Sequence, residues 1–250
     1  MQHDLELAEH YQKYFYTVSA NTPELKRLAY HLRYKVFIEE RGYRIGNCNS
    51  VDKTEQDEYD EHSLHGLIFH RPTNRAIGYI RLIPINLKGA KILPIEKCGK
   101  ILFNHDVLSK TQLRSPKIGE ISRMCLLNSF RQRRFDKIYL SGTTCEVEEI
   151  NSDRRFPINY LALCLSLISI NLLFHADLSY SLAMMEKPLA GLIRHYGIQY
   201  EQVGPYTDYC GRRAPFLIYP QATYDNLLPG IIKLYKIIRA ELNCDAMAIT

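Results

Sequence analysis

Residues 156–174 read FPINYLALCLSLISINLLF, without a single charge. A helix with no polar face must be covered on all sides, either by lipid or by protein. The run has the length of a membrane-spanning helix, roughly 18–20 residues. However, Asn159, Ser166, Ser169 and Asn171 interrupt it, and no second segment like it occurs. The run is therefore read as a helix buried within a domain and lying on a sheet, and no transmembrane segment is expected.

The remaining chain has to supply that sheet. Thr22-Pro23-Glu24 opens a helix with a capping hydroxyl, a proline in the first turn and an acid near the positive end of the dipole. Leu25, Leu28, Ala29, Leu32, Val36 and Phe37 give this helix an apolar stripe that ends near Arg41-Gly42. An acidic loop at residues 52–61 reads as too polar for a core. Strand patterns follow at 63–70 and 76–85, joined by the turn Arg71-Pro72-Thr73-Asn74. Residues 87–108 are irregular. Further strands are expected at 117–127, 137–141, 178–184, 197–203 and 214–219, with a helix at 186–195 and an amphipathic C-terminal helix at 225–242. Helices flanking a mixed, mostly antiparallel sheet in one continuous domain, residues 1–250, is the predicted α/β (α+β) architecture.

Composition narrows the function classes. The 250 residues are 46% hydrophobic and 24% charged, which excludes disordered, collagen-like and disulfide-scaffold chains. Thirty-two basic against 27 acidic residues leave a net charge of +5, too small to argue for nucleic acid. The seven cysteines show no Cys-x-x-Cys pair and read as reduced thiols of a cytoplasmic protein. The polar start MQHDLELAEHYQKYF lacks the layout of a signal peptide. Nine histidines show no metal-ligand spacing, so no metal is expected.

The chemistry-bearing residues are charges embedded in apolar strands. Arg81 interrupts Ile77–Ile83, and Glu120 and Arg123 interrupt Ile118–Met124. Such charges cost several kcal/mol unless they are paired or face a cleft. Two readings follow: a polar site shared with the loop acids Asp57 and Asp60, or an ion-pair network clamping the acidic loop to the sheet. Strand periodicity sends positions 120 and 123 to opposite faces, so a shared site requires a bulge, which Gly119 permits.

Taken in order, Arg33-x-x-x-Phe37, Tyr43, Asp57-x-x-Asp60, Gly78-x-x-Arg81-Leu82-x-Pro84 and Glu120-x-Ser122-Arg123 resemble the acyl-homoserine lactone synthases, which usually carry tryptophan at the position of Tyr43. The resemblance is closer to the long-chain N-acyl amino acid synthases and the acyltransferases associated with the exosortase (PEP-CTERM) system. It rests on Asp57-Glu58-Tyr59-Asp60-Glu61-His62-Ser63-Leu64-His65, Leu93-Pro94-Ile95-Glu96, Met185-Glu186 and Gly204-Pro205 followed by Tyr209-Cys210-Gly211-Arg212-Arg213-Ala214-Pro215. There a histidine is expected in place of Cys210. The similar core spans residues 25–219.

The resemblance implies a GNAT-like sheet splayed in a V around an acyl-thioester cleft. It also implies transfer of a fatty acyl group from acyl carrier protein or coenzyme A to an amino group, with no permanently bound cofactor. Catalysis falls to Glu120, Ser122 and Arg123, with Glu120 holding or deprotonating the amine. Backbone N–H groups near Met124, Cys125 and Leu126 serve the thioester oxygen. Arg81 and Arg123 are candidates for an acceptor carboxylate. Arg33, Phe37, Tyr43, Asp57 and Asp60 complete the acceptor side, with Phe37 equally readable as helix core. The segment after Glu120 lacks the usual phosphate-loop glycines, which favours a carrier protein over coenzyme A. Arg131, Arg133 and Arg134 are then available to meet an acidic partner, or form a solvated charge run. Cys125 and Cys164 read as inert packing. The C-terminal helix either packs on the domain, covers the acyl tunnel or touches a membrane surface. Three functions compete: N-acyl amino acid synthase, homoserine lactone synthase using S-adenosylmethionine, and a non-catalytic acyl- or carrier-binding relative.

Overall fold

The computed structural model describes residues 2–85, 92–97, 117–131 and 160–247. The uncharged run forms helix α5 (Tyr160–His175), counted after α1 (Gln2–Tyr14), α2 (Pro23–Arg33), α3 (Pro94–Lys97) and α4 (Asn128–Arg131). Thirteen residues of α5, Tyr160 to Leu173 with a single gap at Ala162, are buried. Protein, not lipid, covers this helix: the sheet lies on one side and α8 (Pro229–Met247) on the other. Its serines and Asn171 turn back on their own helix, with Ser166 Oγ on the Ala162 carbonyl and Asn171 Nδ2 on the Leu167 carbonyl. Backbone acceptors thus satisfy the polar interruptions, and burial stays inexpensive. No described helix is long and apolar enough to cross a membrane.

The sheet is built from β1 (Phe15–Ser19), β4 (Leu64–His70), β5 (Arg75–Pro84), β6 (Ile118–Leu126), β7 (Tyr180–Glu186), β10 (Arg212–Ile218) and β8 (Tyr200–Gln202), in that spatial order. A short β9 (Thr207–Asp208) adds to β10, and β2 (Asn47–Asn49) and β3 (Thr54–Gln56) form a separate hairpin. Among the described residues every pairing is antiparallel except β6 with β7. Parallel neighbours need a long crossover, and the segment carrying α5 supplies it. Gly66 in β4 lets α5 approach closely: a Cβ there would stand 2.4 Å from Ile168 Cγ2.

The β6–β7 pairing covers only Ile118–Ile121 of β6 against Tyr180–Ala183 of β7. Beyond Ile121 the two strands part, so the edge of β6 from Ser122 to Leu126 has no strand partner on that side among the described residues. This divergence is the V of a GNAT-like mixed sheet flanked by helices, as expected.

Several boundaries differ from the sequence reading. The N-terminal segment forms α1 and the edge strand β1, neither of which its polar composition announces; Leu7, Ala8 and Tyr11 bury one stripe of α1 against α8. The expected helix at 225–242 is two helices, α7 (Pro220–Asn226) and α8, because Leu227 is extended and Pro229 restricts Leu228 before it. Ile231, Leu234, Tyr235 and Ile238 of α8 are buried in the domain, so this face is not offered to a membrane. The expected single helix from residue 22 to 41 changes character at Tyr34. Its second half, Tyr34–Glu40, is wound as a π-helix, a form concentrated at functional sites. Thr22 caps its start as predicted, accepting from the Leu25 N–H at 3.3 Å. The expected strand at 137–141 lies outside the described residues.

Candidate active site

Alternation along β5 separates two environments. Gly78 and Ile80 face α5, while Tyr79 and Arg81 face α2 and the acidic segment. On that second face lies a cluster of three guanidiniums and three carboxylates. Arg33 donates from Nε to Glu55 and from Nη1 to Asp60, each at 2.5 Å. Arg81 donates from both Nη atoms to Asp57 at 2.6 and 2.9 Å, from Nη1 to Asp60 at 2.6 Å and from Nε to Ser122 Oγ at 3.0 Å. Arg123 reaches Glu55 at 3.1 Å and Asp57 at 3.0 Å. Arg33, Arg81 and Glu55 are fully buried.

The acidic segment is therefore not excluded from the core by its polarity; matched cations draw its carboxylates inward. Burial pushes the Asp60 carboxyl up, but Arg33 and Arg81 outweigh it and hold it at about 2. His65 sits behind the cluster, and burial lowers it to about 4, so it is neutral. Its Nε2 must donate to the Asp60 carbonyl at 2.9 Å, which leaves Nδ1 to accept from the Tyr79 hydroxyl at 2.7 Å.

The register between β5 and β6 carries the required bulge. Arg81 pairs with Ser122 and Tyr79 with Cys125, so one extra residue of β6 fits between them. Arg123 adopts φ +53°, in the left-handed region, at this point. The bulge lies after Ser122 and not at Gly119, and it brings Arg123 to the same face as Glu120. Glu120 itself makes no ion pair among the described residues. Its Oε2 accepts from the Ile95 N–H at 2.8 Å, and it is only 4% exposed. Burial pushes its carboxyl up to about 8 against the pull of the Ile95 N–H, Arg81 and Arg123.

A cavity of about 440 Å³ opens where β6 and β7 part. Glu120, Ser122 and Arg123 line it together with Arg41, Arg131, Arg213 and Glu186. Leu165 and Ile170 of α5, with Ser166 and Ser169, and Leu189 and Ile193 of α6 (Lys187–His195), Ile198 and Ile218 also line it. The π-helix presents Phe37, whose ring stacks on Tyr43 at 6.4 Å between centroids. Tyr43 bridges to the other half of the chain, donating its hydroxyl to the Cys210 carbonyl at 3.2 Å. A cavity lined by many aliphatic side chains together with several charged ones suits a hydrocarbon with a polar head.

The sequence-derived candidates thus divide into two groups. Glu120, Ser122, Arg123, Phe37, Tyr43, Met124, Cys125, Leu126 and Arg131 line the cavity. Arg33, Asp57, Asp60 and Arg81 lie behind it, with their polar atoms turned to one another. The Arg81 guanidinium has each nitrogen engaged by protein acceptors, so it clamps the acidic segment and does not present a fork to a ligand carboxylate. Arg133 and Arg134 lie outside the described residues. Cys125 and Cys164 are buried free thiols, raised by desolvation, as inert packing requires. Among the described residues no group of three histidine, cysteine or acidic side chains is placed to hold a metal ion.

Other participants escaped the sequence reading. Glu55 anchors two arginines, and its neighbourhood of acids concealed it. Arg213 and Glu186 face each other in the β7–β10 register at 3.1 Å, although both fall within the quoted motifs. Glu40 accepts from the Asn128 N–H at 3.0 Å and from Arg131 at 2.7 Å, which ties the π-helix to the turn after β6.

Comparison with known proteins agrees with this architecture. Residues 32–141 match the acetyltransferase (GNAT) domain family. Among solved structures, the acyl-homoserine lactone (AHL) synthase LasI aligns with a TM-score of 0.52 at 18% identity, covering 86% of this chain and 95% of its own. MesI, a CoA-dependent acyl-homoserine lactone synthase, gives 0.53 at 16% identity over 90% and 95%. FeeM, an N-acyl amino acid synthase from uncultured soil microbes, gives 0.53 at 12% identity over 87% and 97%. No curated protein matches the sequence significantly. The chain has a GNAT-like fold.

Proposed function

We propose that this protein is an N-acyltransferase that moves a long-chain fatty acyl group from a phosphopantetheine thioester to the amino group of an amino acid. The observation carrying this reading is Glu120, a buried carboxyl with no ion pair among the described residues, on the wall of the cavity beside the point where β6 and β7 part.

The chemistry follows from the placement. Amide formation needs a neutral amine next to the thioester carbonyl. A carboxyl pushed up by burial is a stronger proton acceptor than an ordinary glutamate, and an arriving ammonium supplies the cation it lacks. Proton transfer to Glu120 frees the amine to attack. The C–N bond forms, negative charge gathers on the former carbonyl oxygen, and the C–S bond breaks as the thiol leaves with a proton. Ser122 accepts from Arg81 Nε, which leaves its hydroxyl hydrogen to donate into the cavity. The unpartnered edge of β6 from Ser122 to Leu126 offers backbone donors beside it. Arg123, and Arg213 and Arg41 on the cavity wall, supply positive charge for the acceptor carboxylate.

Acyl carrier protein is the favoured donor. At the start of the turn after β6 the Glu40 carboxylate already occupies the Asn128 N–H, which opposes a diphosphate there. Arg131 is committed to the same carboxylate, leaving the carrier-docking role of the basic run to Arg133 and Arg134.

The test is incubation with long-chain acyl carrier protein and an amino acid pool, followed by free-thiol release and mass spectrometry. An N-acyl amino acid supports the reading. Lactone formation from S-adenosylmethionine would replace it with the homoserine lactone reading, and bound acyl-pantetheine without thiol release would replace it with a non-catalytic one.

A further inference from the structure

The Leu93-Pro94-Ile95-Glu96 motif touches no ligand-facing surface, yet it ends on the central carboxyl. Helix α3 is a single turn. Its Glu96 and Lys97 N–H groups close onto the Leu93 carbonyl at 3.0 and 3.2 Å. Glu96 Oε2 in turn accepts from the Leu93 N–H at 2.8 Å, a local ring of the capping type. Leu93 and Ile95 are fully buried against Ile83, Ile118 and Leu182, whereas Glu96 is exposed. The product of this ring is one N–H, that of Ile95, aimed at Glu120 Oε2 at 2.8 Å. Glu120 lines the cavity, and the hydrogen bond its carboxyl makes among the described residues is this one from Ile95.

We propose that Glu96 is a positioning residue for the Glu120 carboxyl: it locks the α3 turn so that the Ile95 N–H holds one oxygen of Glu120 and fixes how the carboxyl faces the cavity. The proposal rests on the N-acyltransfer reading for its kinetic consequence, but not for its structural one. Among the described residues the charged groups around Glu120 are Arg81 from β5, Arg123 from its own strand, Asp57 from the acidic segment and Glu186 across the cavity on β7. None of them touches Glu96, so replacing Glu96 leaves that charge set in place. Without the lock the Ile95 N–H loses its aim, and Glu120 keeps its proton to higher pH.

Two variants test this, Glu96→Ala and Glu96→Gln, each read in two ways. The first readout is the pH at which folding stability stops falling, measured by urea unfolding from pH 5 to 10; the second is the pH profile of kcat/KM for acyl thioester and amino acid. In Glu96→Ala both inflections are expected to move up by about one pH unit. Its kcat should fall about tenfold at pH 7 with KM little changed. Glu96→Gln keeps an oxygen for the Leu93 N–H and should behave as wild type. Unmoved inflections in Glu96→Ala, or equal damage in Glu96→Gln, overturn the proposal. If the wild-type protein acylates nothing, the function reading fails, while the unfolding inflection still decides the role of Glu96.

Discussion

Replacing Glu120 by glutamine tests the central carboxyl through stability and catalysis at once. The glutamine oxygen still accepts from the Ile95 N–H, so shape and hydrogen bonding survive while the ionisable proton is lost. In the folded protein Glu120 holds its proton up to about 8, against an ordinary 4.5. Between these values the native state binds one proton more than the unfolded chain, so stability falls as pH rises. The slope is about 1.4 kcal/mol per pH unit, a loss on the order of 5 kcal/mol by pH 9, levelling off above. Glu120→Gln should remove this decline, matching wild type near pH 4 to 5 and exceeding it at pH 9. Urea unfolding at one-unit pH steps reads the difference directly. Thiol release with acyl carrier protein should drop by roughly 10²–10⁴-fold in the variant. Wild-type kcat/KM should rise with pH toward about 8. A wild-type stability curve flat from pH 5 to 9, or a variant with the same decline, would refute the buried, unpaired carboxyl. Full activity in the variant would remove Glu120 from the chemistry.

Other expectations follow from the same geometry. Asp60→Asn leaves Arg33 and Arg81 short of a buried anion and should cost about 3–5 kcal/mol in urea unfolding; a loss below 1 kcal/mol would mean the cluster is not holding the fold. The stabilising share of Asp60 itself is present above its ordinary 3.8 and is lost as pH falls toward about 2, so wild type and Asp60→Asn should converge in strong acid. Glu40→Gln weakens the carboxylate guarding the Asn128 N–H and should raise the rate with acyl-CoA relative to acyl carrier protein several-fold; an unchanged donor ratio counts against that role. Leu189→Trp fills part of the cavity and should depress turnover of long-chain donors at least tenfold more than that of short-chain donors, as measured by thiol release across a chain-length series.

Much of the fold was legible because its signals are local. The uncharged run admits no conformation that exposes it to water, and α5 lies buried as that demands. Thr22 caps a helix because its hydroxyl meets an N–H three residues on, a contact made within the segment itself. Alternation along β5 put Arg81 among apolar neighbours and so required partners for it. The features that were not legible depend on distant pairing. The bulge at Arg123 arises from the register between β5 and β6, and the residue there is an arginine, which carries no turn signal of its own. The winding of Tyr34–Glu40 as a π-helix has no composition cue either. Helix α1 shows its apolar stripe only against α8, which is more than 200 residues away in sequence.

The sequence by itself determined that charges sit inside strands and that an acidic segment precedes them, since both are facts of composition and period. It left open whether those charges form a site or a clamp. Tertiary structure showed the clamp, with Arg33, Arg81, Glu55, Asp57 and Asp60 pairing with one another, and it set Glu120 apart, on the cavity wall and without an ion pair among the described residues. The physical reason is that an ion pair is a matter of a few ångströms in three dimensions. Whether a buried carboxyl finds a guanidinium or only a backbone N–H depends on where β6 leaves β7, and no local pattern in the chain encodes that point.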